Sequence, residues 1–134
     1  MITFAWRQID EVEPKRSYTA LLGYVRLKNF MMLPRFVWYS MKIETQLRHT
    51  AGLVGYRMRA IVFAGEFLHL SAWESENAIQ AFVHQQPHLG IMKKLAGRLG
   101  KIEFRYWTVQ GSELPLVFER ELHRLGSMTL QCGR

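Results

Sequence analysis

A chain of 134 residues with 49% hydrophobic content supports one globular core, a single domain over residues 1–134, and has no room for a second. Eighteen basic residues against eleven acidic ones give a net charge of +7, which favours anionic partners without choosing among nucleic acid, lipid headgroups and small molecules. A single cysteine, Cys132, excludes an intramolecular disulfide and a multi-cysteine metal site, and the lack of a signal-peptide pattern or a long apolar window leads us to expect a cytoplasmic protein with no membrane partner.

In chain order, a short apolar start around Phe4 and Trp6 leads into a polar loop, Asp10 to Ser17. A strand is predicted from Tyr18 to Lys28, with Leu21, Gly23, Val25 and Leu27 on one face and Leu22, Tyr24 and Arg26 on the other. Pro34 suits a first helical turn, and Phe36, Tyr39, Ile43 and Leu47 recur at helical spacing, so a helix is expected over residues 33–49, closed by Gly52. A long strand follows over residues 53–63, with Val54, Tyr56, Met58, Ala60 and Val62 opposite Arg57, Arg59, Ile61 and Phe63. The Ala64-Gly65 turn makes a hairpin with a strand from Phe67 to Trp73.

Ser75 stands at an N-cap position, with Glu76 in the first turn and Ala78, Ile79, Phe82 and Val83 as an apolar stripe that Pro87 ends. Leu89, Met92, Leu95 and Leu99 form a second stripe with Gly100 as its stop, then a last strand runs over residues 102–109. Gly111, Ser112 and Pro115 open a final helix carrying Leu114, Val117, Phe118, Leu122 and Leu125, which Gly126 ends before a frayed tail.

Strand, helix, strand, strand, helix, strand is the ferredoxin-like βαββαβ order of the α+β class, here with an extra C-terminal helix. Right-handed crossovers place both main helices on one sheet face. The other face is expected to carry Tyr24, Arg26, Arg57, Arg59, Phe63, His69 and Trp73, joined by Arg105 and Trp107 or by Phe104 and Tyr106. So large an aromatic and cationic patch needs a cover. A second copy, a nucleic acid strand and the terminal helix folded back all qualify; a homodimer is the most economical, because two such sheets bury both patches and enclose a cavity. Nucleic acid is disfavoured, since the third strand reads FLHLSAW and lacks the basic residue and glycine of an RNA-stacking strand.

The runs SAWESENAIQAFVHQQPH, YWTVQGSELP and FERELHRLG resemble single-domain proteins of the dimeric α/β-barrel superfamily, relatives of antibiotic-biosynthesis monooxygenases and spheroidene-type carotenoid monooxygenases. The resemblance covers residues 68–126, with Trp73, the Ala78 to Phe82 helix and His88 in the recurring order, and departs from the common form at SMTLQCGR. It implies a homodimeric α/β barrel that binds a hydrophobic small molecule, with monooxygenation of an aromatic or polyene compound as the activity and either haem or no cofactor as the means. A non-catalytic ligand-binding or structural dimer is the alternative.

In that setting His69 and His88 are the candidate catalytic residues, as base or axial ligand. Arg57 and Arg59, two apart on one strand, would clamp a carboxylate. Trp73, Phe63, Tyr24 and Trp107 would wall the ligand. No glycine-rich phosphate loop occurs, the lone aspartate Asp10 gives no Ser-His-Asp triad, and Pro87 spoils the helical spacing of His84 and His88 for zinc, so no metal is expected.

Overall fold

The computed structural model describes residues 1–125; Gly126, the tail after it and Cys132 lie outside the described residues. Four long elements form the sheet: β3 (Ser17–Leu27), β4 (Leu53–Ile61), β5 (Glu66–Trp73) and β6 (Leu99–Gln110). Two short strands that periodicity cannot reveal, β1 (Ile2–Thr3) and β2 (Arg7–Gln8), add to the outer edge of β4. The antiparallel order β1-β4-β5-β3-β6, with β2 beside β4, is the ferredoxin-like arrangement the element order implied.

Helix α1 (Leu33–Arg48) starts with Pro34 in its first turn, where the missing N–H costs nothing. Helix α2 (Glu76–Val83) is capped as expected: the Ser75 hydroxyl accepts from Ala78 N at 3.2 Å. Helix α3 (His88–Leu95) ends at Gly97, whose φ of +79° only glycine adopts readily. Gly100, expected as that stop, lies instead inside β6. Helix α4 (Phe118–Arg124) begins later than the Gly-Ser-Pro signal suggested, because Gly111–Glu113 forms a separate 3-10 turn.

On one face Leu21, Leu53, Tyr56 and Trp73 pack under Leu47 of α1 and Ile79 and Phe82 of α2, while Leu27 meets Phe36, Ile91 and Leu95. On the other face Tyr18, Leu22, Tyr24, Leu68 and Leu70 pack under Leu116 and Phe118, both fully buried. Of the three covers considered, the chain's own terminal segment is the one that lies there. A cavity between two bare sheets has no room where α4 sits.

The register corrects the assignment of faces. His69 pairs with Gly23 and Trp73 with Leu53, so both side chains join the helix-covered face rather than the face of Tyr24, Arg57 and Arg59. A period of two divides a strand into two sets of side chains without saying which set meets which layer. A bulge between Leu53 and Gly55 likewise turns Val54 to the α4 side while Tyr56 stays with the helices. Gly55 is required there, since a Cβ would lie 2.4 Å from the Trp6 ring packed on it. Phe63 leaves the sheet altogether in the 3-10 turn Val62–Ala64 and is 93% exposed. On β6, Trp107 and Arg105 pair with Ala20 and Leu22 and take the α4 side, whereas Phe104 and Tyr106 take the helix side.

Candidate functional site

Strand β4 and helix α1 diverge at the sheet edge, and the N-terminal strands close the gap only in part. The result is a groove of about 620 Å³. Its side walls are Ile2, Phe4, Val37, Met41 and Met58, with Leu33 and Phe67 towards one end and Arg7, Glu44 and Tyr56 towards the other. The volume and the mainly apolar lining with a few convergent polar groups are those of a small-molecule site. Periodicity could not have found it, because the groove depends on residues 2–7 reaching β4: Phe4 N donates to Met58 O at 2.9 Å, and Arg7 pairs with Tyr56.

Tyr56 is the residue that sequence reasoning missed. Its hydroxyl is buried without a hydrogen-bond partner of acceptable geometry, although the Arg48 guanidinium stands beside it. Burial is the main cause that pushes its proton affinity up, so the phenol stays protonated. Behind Tyr56, with ring centres 6.1 Å apart, lies His69. Burial first, and the neighbouring His88 second, push the His69 imidazole down to about 4, and its Nε2 has no partner. His69 is therefore neutral at ordinary pH.

The expected site residues fall into three places. His69, His88 and Trp73 come together on the helix side: the Phe82 ring lies 5.5 Å from Trp73 and 5.0 Å from His88. The Trp73 indole donates to Ser71 Oγ at 2.8 Å, and His88 is anchored through its backbone N to Gln46 Oε1 at 3.0 Å, with Nδ1 3.2 Å from the Val83 carbonyl. Burial pushes the His88 imidazole down as well. Neither histidine borders the groove; His69 lies behind two residues that do, Tyr56 and its cross-strand partner Met58.

Tyr24, Arg57, Arg59 and Trp107 share the α4 face. Tyr24 hydrogen-bonds buried Glu66. Arg59 is committed: it donates to Thr3 Oγ1 at 2.8 Å and to Glu119, and its guanidinium lies 4.7 Å from the Phe118 ring centre. Arg57 and Arg59 border the groove from β4, with side chains turned to the opposite face. The Arg57 Nε and the Trp107 Nε1 are buried without hydrogen bonds. Phe63, on its exposed turn, is apart from both groups.

An axial haem ligand needs an imidazole nitrogen facing open space. The His69 Nε2 is buried and neither histidine lines the groove, so these residues offer no axial ligand to a haem placed there. Among the described residues no three His, Cys, Asp or Glu side chains group as a metal site, and no helix is long and apolar enough to cross a membrane.

No family model matches the sequence, and neither does any curated protein. Solved structures do match in fold. A protein of Lactobacillus acidophilus NCFM, provisionally named a monooxygenase, superposes with a TM-score of 0.62 at 13% identity over 75% of this chain and 47% of its own. The chain thus spans about half the length of that protein. SnoaB, a cofactor-independent oxygenase of Streptomyces nogalater, matches with a TM-score of 0.59 at 13% identity over 75% of this chain and 100% of its own. A conserved protein of Methanosarcina mazei Go1 matches with a TM-score of 0.59 at 11% identity over 67% of this chain and 90% of its own. The chain has the α+β ferredoxin-like fold of the antibiotic-biosynthesis-monooxygenase-like proteins, the fold that the residues from Leu68 onward resembled.

Proposed function

We propose that this protein binds a hydrophobic aromatic or polyene molecule in the groove between α1 and β4 and, when the molecule is an electron-rich polycyclic phenol with a ring CH2, oxidises it there without haem, the CH2 becoming a carbonyl with one atom of dioxygen while the substrate's two electrons and two hydrogens carry the other away as water. The observation that carries the reading is the groove itself, about 620 Å³ with apolar walls and one polar end. The fold it shares with a cofactor-independent oxygenase supports the reaction class. In this reading Tyr56 contacts the ligand, His69 positions Tyr56 from behind, and His88 lies further back against Phe82. Arg57 borders the groove from β4 with its side chain turned to the far face.

Filling the groove tests binding. Met58→Trp adds bulk to the groove wall and should lower the affinity for an apolar fluorescent dye by at least about tenfold, equivalent to 1.4 kcal/mol. Dioxygen uptake with a polycyclic phenol should fall in the same variant. Unchanged dye affinity in a folded Met58→Trp protein would remove the groove as the site; dye binding without dioxygen uptake would leave a non-catalytic binding protein.

The second copy finds a different place from the one expected. Among the described residues strand β6 is an edge of the sheet, and Ile102, Phe104 and Tyr106 are exposed along its helix side. Antiparallel pairing of two β6 strands about Phe104 would set Glu103 opposite Arg105 twice and Ile102 opposite Tyr106, joining opposite charges and apolar side chains. Sedimentation of the wild type should show a dimer that Phe104→Glu converts to monomer. A wild-type monomer at high concentration would rule the dimer out.

A further inference from the structure

The chemistry along the groove is one-sided. From Leu33 to Glu44 helix α1 advances about 16 Å at 1.5 Å per residue. Over most of that length the facing side chains are apolar, with only the Ser40 hydroxyl between them. Charged groups gather at the far end. Arg7 is the cross-strand partner of Tyr56 and lines the groove with it. Glu44 lies opposite on α1, already paired with Arg48 at 2.6 Å.

Around the Tyr56 hydroxyl this makes two guanidinium groups against one carboxylate. A guanidinium can only donate, so Arg48 gives the phenolic proton no acceptor. A buried donor left unmade is costly, and the group that would repair it is an acceptor arriving from the groove. An ammonium head would find only Glu44, which Arg48 occupies. An anionic oxygen would receive Tyr56 and Arg7 together, with Arg48 held back by its pair with Glu44.

We propose that the groove selects molecules with an apolar body and a single anionic head, the head seated between Tyr56 and Arg7 and the body lying towards Leu33 and Val62. This rests on the reading of the groove as a ligand site and concerns which ligands that site takes. Isothermal titration of the full chain with decanoate, decan-1-ol and decyltrimethylammonium separates the two. The wild type should bind decanoate at least about tenfold more tightly than the alcohol or the ammonium compound. Tyr56→Phe and Arg7→Gln, each checked for a native circular dichroism spectrum, should narrow that preference several-fold while leaving the alcohol's affinity unchanged. Arg7 is exposed, so its variant keeps the test open if the tyrosine change disturbs folding. Equal affinity for acid and alcohol, with both displaced by Met58→Trp, would overturn the head-group inference and keep the groove. No binding of any of the three would overturn both.

Discussion

Phe118→Ala should destabilise the protein by roughly 3–5 kcal/mol, the usual range for truncating a buried phenylalanine. Phe118 is fully buried between the sheet and the Arg59 guanidinium, and Arg59 is in turn tied to Glu119 on the same helix. Losing the ring removes apolar burial, leaves a cavity over Tyr24 and Leu68, and loosens the seat of the ion pair. Urea denaturation measures the loss, and an apolar dye should bind the variant more as the sheet face opens. The Arg59–Glu119 pair by itself is worth less, because Glu119 is largely exposed and water screens it. A loss below about 1 kcal/mol would mean that something other than α4 protects this face. Stability that rises with protein concentration would identify a second copy as that something.

A second large effect is expected with pH. The His69 imidazole is pushed down to about 4, chiefly by burial. As pH falls below the ordinary value of 6.5, the unfolded chain takes up this proton while the folded chain stays neutral until about 4. The unfolded state therefore binds more protons throughout that window, and stability falls as pH falls. At pH 4 the loss from this group should be on the order of 3 kcal/mol, at about 1.4 kcal/mol per unit of displacement. His69→Gln keeps a polar side chain that does not titrate, so its stability profile should be flatter than the wild type's between pH 6.5 and 4. Some slope will remain, because burial also pushes His88 down. Parallel profiles for the two proteins would show that His69 titrates normally. Above pH 6.5 the two should differ only by a constant.

Much of this molecule was legible before its coordinates. The alternation through FLHLSAW marked β5, Ser75 with Glu76 marked the start of α2, and Pro34 marked the first turn of α1. These are local signals, because a cap or an alternating pattern acts within a few residues of itself. The Trp73, α2 and His88 order also led to the correct fold. What failed was placement across the sheet. His69 and Arg59 were expected on one surface and lie on opposite ones, since Arg59 pairs with Leu68 and Met58 with His69, a register that neither strand's own alternation reveals.

By itself the sequence determined the number, order and type of the main elements, and hence the α+β fold, because hydrophobic period, caps and turn residues are written along the chain. Only the tertiary structure decided where a ligand could lie. The groove needs residues 2–7 beside β4, α1 splayed from that strand, and Tyr56 turned towards both. The covering of the opposite face by Phe118 was equally a matter of where the chain returns. Contacts between residues dozens of positions apart follow from register and packing, which no local pattern encodes.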